Sequence, residues 1–239
     1  MKPVAIFRHT LGEGPGYFAD FLSAHHIPVT HIRIDEGDAV PTDATAFSGL
    51  AFMGGPMSVN DDLPWIPQEL ALIRHAVASN IPVIGHCLGG QLMSKALGGS
   101  VTRNPVKEIG WGAVTLHNNA VSRQWFGALL DSTPSFESFH WHGETFTLPQ
   151  DSTLLMSSPH CAHQAYVLGP HLGMQCHVEM TPEMIANWCI SGKDELAHCA
   201  AQTTVQQAHD MQQGMESRIE GLRKVANQLY SKWIAGLQH

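Results

Sequence analysis

The sequence predicts an α/β domain: a mainly parallel central sheet with helices on both faces, a small antiparallel addition and a helical C-terminus. Three observations predict it. From residue 3 to about 99, short apolar runs alternate with segments of helical period, the rhythm of a parallel sheet covered on both sides. Between residues 101 and 177 the strand-like runs follow one another closely, as antiparallel strands do. From Thr181 onward, helical spacing returns. No internal repeat, linker or low-complexity tract divides the chain, so residues 1–239 read as one domain, with a core over about 3–190 and a helical extension over about 191–239.

The elements follow in order. PVAIFR (3–8) is a short buried strand, and GEGPG (12–16) breaks the chain. YFADFLSAHH (17–26) has helical spacing and IPVTHIRI (27–34) reads as a strand. A polar loop runs through Asp43 to GLAFMGG (49–55), a strand that ends in glycines. PWIPQELALIRHAVASN (64–80) is an amphipathic helix with prolines near its start, where a missing N–H leaves no bond unmade. IPVIGH (81–86) is a strand, and LGGQLMSKALGG (88–99) is a helix stopped by Gly98 and Gly99. GWGAVTL (110–116), SFHWHGETFTL (138–148), TLLMSS (153–158), QAYVLG (164–169) and LGMQCHVE (172–179) are expected to add strands and a subsidiary antiparallel layer. The region 203–237 spaces Val205, Met211, Met215, Ile219, Leu222, Val225, Leu229, Trp233 and Ile234 along roughly one helical face. That face is expected to pack on the sheet or on a sister subunit.

Composition narrows the function. Thirteen Lys and Arg against 21 Asp and Glu give a formal charge of −8. An acidic chain without a basic run is a poor match for nucleic acid or for an anionic membrane surface. The apolar run at the N-terminus is too short for a signal peptide, and no stretch reaches the ~20 apolar residues of a membrane span. A cytoplasmic protein is expected. The five cysteines, Cys87, Cys161, Cys176, Cys189 and Cys199, are odd in number and lack C-x-x-C pairing, which disfavours a disulfide framework or a zinc ribbon. Four of them read as small buried hydrophobes.

Cys87 is different. It stands between Gly85 and Gly89, where a strand gives way to a helix. Open α/β sheets bind ligands at such strand tips. A sharp turn there lifts the side chain clear of the sheet, and the glycines remove Cβ atoms that would clash, as in a nucleophile elbow. The helix N-terminus at Leu88 favours a thiolate and offers its N–H to an oxyanion. Cys87 is therefore expected to be strained, partly exposed and reactive. A nucleophilic cysteine also needs a base and a group that holds the base. His177 and Glu179 stand two apart in a strand-like run, a spacing that places both on one face. Gly54 and Gly55, at another strand tip, can bring backbone N–H groups to a developing oxyanion, or can form an ordinary Gly-Pro turn.

Three segments in order, GGPMSV (54–59), GHCLGGQ (85–91) and CHVE (176–179), resemble the class I (triad) glutamine amidotransferase family. Gly85, Cys87, Gly89 and Gln91 fill its G-x-C-x-G-x-Q motif. EIGWGAV (108–114) and HWHGETFTLP (140–149) are similar to stand-alone bacterial members of GMP-synthase-like type. The resemblance spans roughly residues 3–190 and implies a three-layer α/β/α, flavodoxin-like fold. It also implies a thiol hydrolase that cleaves the side-chain amide of glutamine, or a related γ-glutamyl bond, through a thioester on Cys87. By the same resemblance His177 shuttles protons, Glu179 orients His177, and the N–H groups of Gly55 and Leu88 form the oxyanion hole. Gln91, Trp141, His142, Gly143 and Glu144 help to hold the substrate. The family's F-H-P-E is here Cys176-His177-Val178-Glu179, and Glu144 stands where aspartate is commoner.

No cofactor is implied. His140 and His142 could suggest a metal pair or a rival base, but no third ligand lies at a convincing spacing, and HCAH at 160–163 is unsupported, so no metal is expected. His86 points to the opposite face from Cys87 and is discounted as base. The 60 residues after Glu179 carry no Gly-rich phosphate loop, so no fused synthetase domain is expected. The partner is glutamine or a γ-glutamyl small molecule, together with a separate ammonia-accepting synthase if the chain is a subunit. The rivals are a stand-alone γ-glutamyl peptidase, a non-catalytic regulatory protein that keeps the fold, and the related thiol protease and chaperone group. In that last group a histidine tends to follow the cysteine directly, whereas Leu88 does so here.

Overall fold

The computed structural model describes residues 2–238. Among them, nine strands form one sheet. They are β1 (Val4–Arg8), β2 (Val29–Arg33), β3 (Gly49–Phe52), β4 (Val83–His86), β5 (Val101–Leu116), β6 (Ser135–Phe146), β7 (Thr153–Ser157), β8 (Ala165–Leu168) and β9 (His171–Met174). The spatial order is β2-β1-β3-β4-β9-β8-β7-β5-β6. The first five places are parallel, with β9 paired to β4 through Ile84–Leu172, Gly85–Gly173 and His86–Met174. They reproduce the 2-1-3-4-5 order of flavodoxin-like sheets. The other four strands are antiparallel and extend this same sheet. The subsidiary layer expected from the sequence is thus a continuation, since β8 pairs edge to edge with β9 and leaves no free border between the two halves.

Strand alternation divides the interior into two cores. Val4 and Ile6 of β1 face one side with Phe18 and Leu22, whereas Ala5 and Phe7 face the other with Leu72, Ile73 and Leu92. Helices α1 (Gly16–Ala24) and α9 (Met215–Ile234) cover the first side, and α2 (Trp65–Ala78) and α3 (Leu88–Ala96) cover the second. Helix α9 buries Ile219, Leu222, Val225, Leu229 and Trp233, so the apolar face read from the sequence packs within this chain. Each such side chain contributes roughly 1.5–3 kcal/mol by leaving water.

Three local departures from the expected elements have plain causes. Strand β5 begins at Val101, nine residues before the expected run, because its bulge between Arg103 and Glu108 accommodates Pro105. Helices α4 (Ala120–Phe126), capped by the Asn119 side chain on the Ser122 N–H, and α5 (Leu129–Ser132) fill a stretch left unassigned. The C-terminal region is broken into α6 (Pro182–Ser191), α7 (Lys193–His198), α8 (Ala208–Gln212) and α9. Val205 lies in an extended bridge to Ile109, and Gly214 turns the chain with a φ of 62°.

Candidate active site

Cys87 sits at the tip of β4 as the residue before α3, with φ 52° and ψ −107°. A side chain in that region is strained, and only the surroundings hold it there. Its N–H donates to the Met174 carbonyl on β9 at 2.9 Å. The flanking glycines are sterically required: a Cβ on Gly85 would overlap the Gly89 carbonyl, and one on Gly89 would overlap the Phe52 carbonyl. The thiol is less accessible than the sequence suggested. Cys87 is only 7% exposed because it forms the floor of a pocket rather than its rim.

His177 and Glu179 lie beyond the end of β9, which stops at Met174, so their common face does not come from strand alternation. An isolated antiparallel bridge to Phe139 sets the position instead, with the His177 N–H bonded to the Phe139 carbonyl at 2.8 Å. His177 Nδ1 meets Glu179 Oε1 at 2.6 Å, and both side chains are buried. Nε2 of His177 has no hydrogen-bond partner among the described residues. Burial by itself would lower the imidazole pKa. The Glu179 carboxylate and then the Cys87 sulfur outweigh it and hold the ring well above its usual range. Burial would likewise raise the Glu179 carboxyl, but His177 and His86 bring it below the ordinary value. Trp188 stands edge-on to the His177 ring with centroids 4.9 Å apart. His86 points away, bonds the Tyr230 hydroxyl at 3.0 Å through Nε2, and is pushed down to about 4 by burial.

The pocket above Cys87 has a volume of about 980 Å³. Gly55, Gln91, Trp141, His142, Gly143 and Glu144 line it, and so do Glu13, Arg103, Lys107 and Trp188. Leu88, His177 and Glu179 lie under it, buried. The N–H groups of Gly55 and Leu88 have no hydrogen-bond partner among the described residues and are free to donate. The side-chain amide of Gln91 is turned to Gln175, donating to its Oε1 at 3.0 Å, and Gln175 Nε2 in turn reaches Cys87 Sγ at 3.5 Å. Trp141 Nε1 donates to Glu195 at 2.9 Å, and Glu144 accepts from Ser58 Oγ at 3.1 Å. His142 lines the wall, but its ring is engaged behind it, Nδ1 with the Glu144 carbonyl and Nε2 close to Glu108.

Sequence reasoning missed four residues. Gln175 and Trp188 touch the cysteine and the histidine but belong to no spacing rule. Glu13 lies against Gly54 and near His177; burial pushes its carboxyl up to about 7, against the pull of His177. His9 bonds Glu69 at 3.0 Å and the Met53 carbonyl at 3.1 Å, a buried pair directly beneath the Gly54–Gly55 turn. The GEGPG break was the only available sign of Glu13, and nothing in sequence joins His9 to a glutamate 60 residues on.

A flavodoxin-like sheet carrying this pocket at its strand tips makes the protein an α/β domain of the kind that binds ligands at that edge. The chain belongs to the class I glutamine amidotransferase family, whose model matches residues 19–188. Hydrolysis of the glutamine amide is that family's general chemistry. A glutamine amidotransferase structure from Methylobacillus flagellatus superimposes with a TM-score of 0.95 at 46% identity, over all of this chain and 96% of that one. A glutamine amidotransferase from Thermotoga maritima gives 0.84 at 25% identity, over 98% of each chain. The glutamine amidotransferase-like protein YfeJ of Salmonella typhimurium is 30% identical over 85% of this chain and 86% of its own length. A GMP synthase of Pseudomonas syringae is 31% identical over 56% of this chain, which amounts to 25% of the synthase. Among the described residues, no helix is long and apolar enough to cross a membrane.

Proposed function

We propose that the chain hydrolyses the side-chain amide of glutamine, or a related γ-glutamyl bond, with Cys87 as nucleophile. One observation carries the reading: a strained strand-tip cysteine forms the floor of a pocket over a buried His177–Glu179 pair whose free nitrogen has no other partner. The Cys87 thiolate attacks the amide carbon, and the carbonyl electrons move to oxygen, where the Gly55 and Leu88 N–H groups receive them. The tetrahedral species collapses, the C–N bond breaks, and the His177 imidazolium gives its proton to the departing ammonia. A γ-glutamyl thioester remains on Cys87. His177 then takes a proton from water, the hydroxide attacks the thioester, and glutamate leaves as the thiolate is restored. Glu179 keeps the Nδ1 proton in place throughout. Five free cysteines suit a reducing compartment, the cytoplasm.

A second reading concerns the fate of ammonia. The match to GMP synthases covers only a quarter of those proteins, so a separate synthase that accepts ammonia from this chain is consistent with it. The test is ammonia release from glutamine and a panel of γ-glutamyl amides and peptides, with Cys87→Ala as control. Turnover without any partner that is lost in the variant supports the stand-alone hydrolase. Slow turnover that rises when a synthase is added supports the subunit. Equal release by wild type and variant rejects the thiol mechanism, and release at the uncatalysed rate in both favours a regulatory protein.

A further inference from the structure

The sequence leaves His140 and His142 as a pair without a third donor. The fold supplies it. Glu108 on β5 is the cross-strand partner of His142 on β6, and the loop between β7 and β8 brings Cys161 to the same place. A Glu108 carboxylate oxygen, a His142 ring nitrogen and Cys161 Sγ all lie within 4.8 Å of one another. The three residues are buried, with exposures of 5%, 6% and 2%.

The hydrogen bonds around the cluster fix its chemistry. His142 Nδ1 lies 2.9 Å from the Glu144 carbonyl, an acceptor, so Nδ1 carries a ring proton and Nε2 is the nitrogen turned to the cluster. That nitrogen lies 3.1 Å from Glu108 Oε2, without the geometry of a hydrogen bond. Ligand atoms held this close in a buried site leave room for a shared cation bound by all three. The surrounding groups aim the donors inward: Ser158 Oγ donates to Glu108 Oε1 at 2.8 Å, Gln164 Nε2 donates to Oε2 at 2.9 Å, and the Thr145 hydroxyl lies 3.2 Å from Cys161 Sγ. Metal-bound histidines donate their other N–H to a carbonyl in this manner, and metal-bound carboxylates are themselves hydrogen-bonded.

We propose that Glu108, His142 and Cys161 form a zinc site. One imidazole nitrogen, one thiolate and one carboxylate are a zinc donor set. His140 stands beside the three, its ring centroid 5.9 Å from that of His142 and its buried nitrogens without partners among the described residues. Three protein donors leave zinc's fourth position to a water molecule. Binding displaces the Cys161 proton to solvent. The ion ties β5, β6 and the β7–β8 loop together behind the pocket wall, where His142 belongs to both. It takes no part in the chemistry at Cys87, and the site stands whether or not that chemistry is as proposed.

The experiment uses the untagged full chain carrying Cys87→Ser, which removes the other candidate thiolate. Titration with cobalt(II) should give one ion per chain, with tetrahedral d–d bands and a thiolate-to-cobalt charge-transfer band that zinc abolishes. Cys161→Ser should remove the charge-transfer band, and Glu108→Gln should weaken binding by about 100-fold or more, each with an unchanged circular dichroism spectrum. Zinc at hundredfold excess over the parent Kd should raise the parent's melting temperature by about 5 °C or more, Glu108→Gln by no more than about 1–2 °C, and Cys161→Ser not at all. Absence of a charge-transfer band in the parent, or binding that survives Cys161→Ser unchanged, overturns the proposal and leaves a His142–Glu108 ion pair. If Cys161→Ser fails to fold, the parent spectrum and Glu108→Gln still decide.

Discussion

The His177 amide donates to the Phe139 carbonyl at 2.8 Å, and this single bridge joins the segment beyond β9 to the middle of β6. The imidazole is thereby held by a strand from the antiparallel half, while the thiol it faces is held by a strand from the parallel half. Ser138 Oγ adds a second tie, donating to the His177 carbonyl at 3.3 Å. Two halves of one sheet each hold one of the proposed reacting groups in place.

Replacing Cys87 by alanine should abolish ammonia release, a loss of several orders of magnitude if the thiol carries the chemistry. The fold should persist, because the substitution removes one side chain at a strained position. A glutamine-mimicking electrophile should label Cys87 ahead of the other four cysteines, as read by peptide mass spectrometry. Preferential labelling of Cys161 or Cys189 would place the reactive thiol elsewhere.

Glu179→Gln should lower kcat/KM by about 10²–10⁴-fold, since the imidazole then loses the group that fixes its tautomer. The pH dependence of stability should change as well. His177 is raised in the folded state, so its contribution is fully present below about 6.5 and is lost as pH climbs through the folded value. Glu179 is depressed, so its contribution is present above about 4.3 and is lost as pH falls through its lowered value. Melting curves across pH should therefore show a plateau between these limits in the wild type. The plateau should flatten in Glu179→Gln.

Glu13 titrates near neutrality, so the kcat/KM profile of the wild type should carry an inflection at about pH 7 that Glu13→Gln lacks. A carboxyl raised on folding destabilises the native state above its unfolded value. The variant should therefore be the more stable form at pH 8, by about 1–2 kcal/mol once solvent at the pocket mouth is allowed for. Equal melting temperatures at pH 8 would show that Glu13 is well solvated.

Glu69→Gln breaks the buried His9–Glu69 pair beneath the Gly54–Gly55 turn and should cost about 3 kcal/mol, or roughly 6–12 °C in melting temperature. His9 is raised in the folded state, since Glu69 outweighs the lowering effect of burial. Its contribution is thus present below about 6.5 and fades as pH rises through the folded value, so wild type and variant should converge in alkaline buffer.

The parallel half of the fold was legible because each of its strands is a short apolar run followed by a helix of clear period. Cys87 was legible for a related reason: glycines two residues to either side leave few structures other than a sharp turn. The antiparallel half was less so. The Pro105 bulge hides the start of β5, and the Asn119 cap announces α4 over only seven residues. His177 and Glu179 were found by a strand alternation that the chain does not have there, since Phe139, 38 residues earlier, sets their position. Contacts of that range, like His9 with Glu69 or Glu108 with Cys161, leave no periodic trace in a single sequence.

The pairing of β4 with β9 has a consequence for the growing chain. Ile84 and Leu172, which meet across that ladder, are 88 residues apart. Pairings of such range are slow, because the chain must close a long loop before any contact compensates. During synthesis from the N-terminus, Cys87 leaves the ribosome well before β9 does. Until then it lacks both the Met174 carbonyl that anchors its backbone and the imidazole that faces it. A nascent or truncated chain therefore carries the thiol without the imidazole proposed to serve it.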